Sequence, residues 1–178
     1  MRTIFWISTS VVAVSLLLII GCDNRSAVTD SNKANDALPA GLILNQAPPA
    51  AIDVTTAKQS AKDGDTVVIK GRIGGRVEPI APNRAILNIT DLSLLTCDKS
   101  PMPNCATPWD NCCDPPDKIA AASATVQVVD ASGQPLKATL KGVGGIEPMM
   151  QITARGTVRR IPGSDVIVID ATGIHVGE

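Results

Sequence analysis

Aromatic residues are nearly missing from this chain: there is no tyrosine, one phenylalanine and two tryptophans in 178 residues. Phe5 and Trp6 lie in the first apolar run, which leaves Trp109 as the aromatic residue of the remainder. Single-stranded nucleic acids are held by bases stacked on aromatic rings, each stack worth about 1–3 kcal/mol, so that mode of binding is not expected. An excess of positive charge is missing too. The 16 basic and 17 acidic residues nearly cancel, whereas phosphate backbones are bound by clustered Lys and Arg. Histidine occurs once, at His175, with no serine or cysteine at a recognisable spacing to form a nucleophile and base pair. The "GRIGG" run at Gly71–Gly75 lacks the Lys-Ser/Thr pair and the following helix of a phosphate loop. These absences point away from an enzyme, and no cofactor is implied.

What stands out first among the residues present is an export pattern. Arg2 supplies a positive start, Ile4 to Ile20 form an apolar stretch, and the small Gly21 directly precedes Cys22. The end of this stretch, Ile19-Ile20-Gly21-Cys22, resembles the bacterial lipobox. The resemblance implies cleavage before Cys22, diacylation of its thiol and acylation of the new amino terminus. Several acyl chains anchor stably where one binds only marginally. A spanning helix needs about 20 apolar residues, a length this run barely approaches before it ends in the processing site. Asp23 resembles the inner-membrane retention signal of enteric lipoproteins. The expected location is therefore a cell membrane, lipid-anchored and facing the periplasm or the outside.

The expected organisation is a signal peptide over 1–21, a flexible tether over 22–51 and one folded domain over 52–178. The tether is rich in Asn, Asp, Ser, Ala and Pro, and only Leu42-Ile43-Leu44 interrupts it. Within the domain, "IDVTTAKQSAK" from Ile52 to Lys62 reads as a short helix stopped by "DGD". Five stretches then alternate apolar and polar residues at the strand period. They run through Val67, Ile69 and Ile73; Ala85, Leu87 and Ile89; Ala124 to Val128; Ile152, Ala154 and Val158; and finally "DVIVIDATGIHV", with an interruption near Gly173. Short strands with glycine-rich bends and no regular intervening helices favour a small antiparallel barrel.

The order "GDTVVIKGRIGG", "AILNITD", "ATVQVVDASGQPLK", "MQITARGTVRR" and "DVIVIDATGIHV" resembles the OB-fold of small exported bacterial proteins. In that group the second strand ends in an aspartate, here Asp91, and the fourth carries an xGxV like Arg155-Gly156-Thr157-Val158. The resemblance implies an all-β, five-stranded Greek-key barrel with a preceding helix, and Leu136–Gly142 at the place of its one short helix or loop. It opens two readings: a binding or structural module for an envelope protein or small extracytoplasmic ligand, or an OB-fold binder of nucleic acid or oligosaccharide. Absent aromatics disfavour the nucleic acid. Lys70, Arg72, Arg155 and Arg159 are candidate partner-binding cations if the first and fourth strands pair.

Between the second and third strands lies "CDKSPMPNCATPWDNCCD". Its four cysteines, Cys97, Cys105, Cys112 and Cys113, are an even number in an exported chain and predict two disulfides on a proline-stiffened loop. A bridge between the neighbours Cys112 and Cys113 is strained and ranks last; the other two pairings stay open. A copper or zinc site is the alternative, although the gaps of seven, six and no residues do not match the two close pairs of common zinc motifs. Trp109 is either the local core of this loop or an anchor for a partner.

Overall fold

The computed structural model describes residues 37–99 and 105–177. The expected leader, Cys22 and the first part of the tether lie outside the described residues.

A five-stranded closed barrel forms the body. It consists of β2 (Thr66–Ile73), β3 (Ile86–Thr90), β4 (Ser123–Gln127), β5 (Gln151–Arg160) and β6 (Ile167–Gly177). Around the ring the order is β2-β3-β4-β6-β5, and β5 returns to β2 through an antiparallel ladder from Thr66↔Thr157 to Arg72↔Gln151. β4 and β6 run parallel, with Val126 opposite Ile169, while the other barrel pairs are antiparallel. A two-residue strand, β1 (Ile52–Asp53), adds to β2 in parallel.

Strand alternation decides what fills the barrel. Ile69 and Ile73 of β2, Leu87 and Ile89 of β3, and Ile152, Ala154 and Val158 of β5 point inward and are buried, as the period-2 pattern predicts. The core is therefore branched aliphatic, completed by Val126, Ile169 and Ile174. Each such side chain contributes about 1.5–3 kcal/mol on full burial. Where β5 crosses β6 the strands approach closely: a Cβ on Gly156 would lie 2.3 Å from the Asp170 carbonyl oxygen. The register shifts there, between Arg155 and Gly156, so the expected interruption near Gly173 is a bulge in a continuous strand.

Helix α1 (Val54–Ser60) precedes the barrel and buries Val54 and Ala57 in its core. Both of its ends are satisfied by barrel residues. Asp91, just past β3, accepts hydrogen bonds from the amide and hydroxyl of Thr55 at 2.9 and 2.8 Å. At the other end, Arg160 donates to the carbonyls of Lys58 and Ala61, where a cation suits both the orphan acceptors and the helix dipole. The Leu136–Gly142 stretch is a loop, followed by a single 3₁₀ turn at Val143–Gly145.

Two features depart from expectation. The stretch read as tether up to Ala51 is docked from Leu38 onward. Leu42 is 4% exposed, and the backbone of Leu42–Leu44 brackets Ile174, with the Leu44 amide on the Ile174 carbonyl at 2.8 Å and the Ile174 amide on the Leu42 carbonyl at 2.7 Å. Three apolar residues thus suffice when an uncovered strand edge accepts their backbone. A second helix, α2 (Pro116–Ala121), follows the cysteine loop. Pro116 in its first turn supplies a preset φ, and Lys118 pairs with Asp114 at 2.5 Å.

Candidate functional site

The β3–β4 connection carries all four cysteines of the folded body and brings their sulfurs together. Every pair lies within 4.8 Å. Cys105 Sγ is 3.0 Å from Cys112 Sγ and 4.0 Å from Cys113 Sγ, and Cys97 Sγ is 3.7 Å from Cys112 Sγ. None of these separations is the about 2.05 Å of a disulfide bond. No disulfide distance occurs among these pairs, and the four residues expected to make two disulfides are gathered in one cluster.

Backbone and side-chain hydrogen bonds hold this cluster independently of the sulfurs. The Cys97 amide donates to the Pro108 carbonyl at 2.9 Å. Asp110 accepts from the Thr107 hydroxyl at 2.6 Å and the Cys112 amide at 2.9 Å. Burial opposes the Asp110 charge, but these donors outweigh it and hold the carboxyl below its ordinary value. Asn111, buried and left-handed at φ 58°, donates its amide to the Leu95 carbonyl at 2.8 Å. Asparagine tolerates that conformation, and the turn it makes allows the consecutive Cys112 and Cys113 to face one cluster. Cys97 is 1% exposed and Cys112 is exposed. Burial pushes the Cys97 thiol up to about 11, and the Cys105 thiol and Asp110 carboxylate beside Cys112 push that thiol up as well.

Trp109 connects this loop to the β2–β3 connection. Its carbonyl accepts the Gly75 amide at 2.8 Å and its indole N–H donates to the Val77 carbonyl at 3.0 Å. The approach requires glycine: a Cβ on Gly74 would lie 2.4 Å from the Trp109 carbonyl oxygen. The half-buried ring also lines a shallow groove with Val77, Pro79, Ile80 and Pro148.

A larger groove of about 340 Å³ lies between the barrel wall and α2. Lys58, Arg76, Asn88, Ile119, Ser123 and Thr125 line it. Lys58 donates to the Ala120 carbonyl at 2.7 Å, and burial there draws its ammonium below the ordinary lysine value. Asn88 is fixed by the Gly74 carbonyl at 2.7 Å.

The four candidate cations do not form one stripe, although β2 and β5 pair as required. Lys70 meets Asp53 at 3.4 Å, Arg72 donates to the Leu94 carbonyl at 3.3 Å, and Arg159 is held by Asp170 at 2.6 Å. Arg155 stands exposed on β5. His175 is half-buried on β6 opposite Thr153. The groove cations Lys58 and Arg76 escaped sequence reasoning because each is an isolated charge in its own segment, and only the fold makes them neighbours. Compared with known proteins, the chain matches no family model, no curated protein and no solved structure.

Proposed function

We propose that this chain is a lipid-anchored envelope protein that acts as a non-catalytic binding module through an OB-like barrel, and that the groove over β3 and β4 receives a small anionic extracytoplasmic ligand or an acidic protein segment. The observation that carries the reading is the position of that groove. Its walls come from β3 and β4, from the β2–β3 connection through Arg76 and from the β5–β6 connection through Val166. The strand order, with β4 parallel to β6, supports the OB-like assignment, and in OB barrels the corresponding face and loops are the ligand surface. The groove's volume falls in the range of small-ligand sites.

The lining chooses the chemistry. Two cations, Lys58 and Arg76, sit among the polar Asn88, Ser123 and Thr125 and apolar residues such as Ile119 and Val166, and no lining residue is aromatic. A base or a sugar ring finds nothing to stack on, whereas carboxylates find charge-assisted donors. The lipobox-like end at Cys22 supports the anchor and, with it, an extracytoplasmic source for such ligands.

Detergent-phase partition tests the anchor. Wild-type protein is expected in the detergent phase and Cys22→Ala in the aqueous phase; equal partition of both removes the lipid reading. Thermal-shift screening with short acidic peptides and uronate oligosaccharides tests the groove. Stabilisation that Arg76→Glu abolishes supports it, and stabilisation by neither probe removes it.

A further inference from the structure

We propose that Cys97, Cys105, Cys112 and Cys113 form a four-thiolate site for one zinc-class ion, which locks the cysteine loop against the barrel. A tetrahedral ion with sulfur at about 2.3 Å needs its four sulfurs about 3.8 Å apart. The separations of 3.0, 3.7 and 4.0 Å, with no pair beyond 4.8 Å, bracket that value.

The contacts share their members. Cys112 is close to both Cys97 and Cys105, and Cys105 is close to both Cys112 and Cys113. The sulfurs therefore converge on one centre. The unusual spacing ceases to be an obstacle once the backbone is seen. The left-handed Asn111 turns the chain immediately before the adjacent pair, and its side chain is tied to the Leu95 carbonyl next to the segment carrying Cys97.

Support beyond the sulfurs is already in place. The Asp110 carboxylate bridges Thr107 and the Cys112 amide, and the Pro108 carbonyl fixes the Cys97 amide. Such outer hydrogen bonds orient ligands before the ion arrives. Cys97 closes the site from the barrel side while the exposed Cys112 leaves an entry path. With four sulfur ligands and no open coordination position, the site is structural and not catalytic. As a divalent ion enters, each of the four thiols gives its proton to solvent and its sulfur lone pair to the metal. No oxidant or reductant takes part.

The test uses full-length detergent-solubilised protein, reduced, stripped of metal and titrated anaerobically with cobalt(II) as a spectroscopic probe. Saturation at one ion per chain is expected, with intense thiolate-to-cobalt charge transfer and tetrahedral d–d bands, and zinc should displace the cobalt. Cys105→Ser and Cys112→Ser should each weaken uptake at least tenfold while the barrel's far-ultraviolet circular dichroism is unchanged. In parallel, protein quenched in acid directly from cells is alkylated under denaturing conditions without reductant. Labelling of all four loop cysteines supports the site. Disulfide-linked, unlabelled cysteines overturn it, as does cobalt uptake without the charge-transfer band, or no uptake.

Discussion

Asp91 accepts the Thr55 amide at 2.9 Å, so the residue just past β3 also caps the helix before the barrel, 36 residues earlier in the chain. The same carboxylate takes the amide and hydroxyl of Ser93 at 3.0 and 2.7 Å. Burial opposes its charge, but the four donors, the Thr55 amide foremost, hold the carboxyl below its ordinary value. A depressed folded value contributes stability that is present above the unfolded value of about 4 and is lost as pH falls through the folded one. Asp91→Asn is expected to cost about 2 kcal/mol near neutral pH, from the charged hydrogen bonds given up. The gap from wild type should narrow in denaturant titrations carried out below about pH 4. A gap that stays constant well below that pH means the carboxylate's charge does not matter.

Arg160 closes the other end of the same helix. Its guanidinium reaches the Lys58 and Ala61 carbonyls across a large stretch of sequence. Arg160→Ala is expected to lower the unfolding free energy by about 1–2 kcal/mol through unsatisfied acceptors and the lost dipole interaction. Arg155→Ala, on the exposed face of β5, should shift it by less than about 0.5 kcal/mol. Equal effects in the two variants would show that the cap carries no stability.

The Leu42–Leu44 stretch should behave as part of the barrel. Leu42→Ala removes a buried side chain and is expected to cost about 2–3 kcal/mol. Hydrogen exchange should show protection at the Leu44 and Ile174 amides, which bond across this contact at 2.8 and 2.7 Å. Rapid exchange at both amides would return the segment to the tether.

Much of the barrel was legible in the sequence because alternation is local. Ile69, Leu87, Val126 and Ile152 each announce an inward face within a few residues, and all are buried. Asp91 and Gly156 were legible as positions but not as causes. One caps a helix, and the other lets the Asp170 carbonyl approach to where a side chain would stand. What stayed hidden depends on long-range geometry. Leu42-Ile43-Leu44 is too short to signal order without the Ile174 edge that receives it. The spacing of the four cysteines argues against one centre until Asn111 turns the chain. Trp109 has no pattern that announces its indole bond to Val77. Lys58 and Arg76 are brought to one groove only by closure of the barrel.

The central claim, that this groove is a binding surface for anionic ligands, is tested most directly by nuclear magnetic resonance titration of isotope-labelled protein with short acidic peptides and uronate oligosaccharides. The account predicts shifts concentrated at Lys58, Arg76, Asn88, Ser123 and Thr125, and their loss in Arg76→Glu. Shifts that avoid these residues, or that persist unchanged in Arg76→Glu, would contradict it.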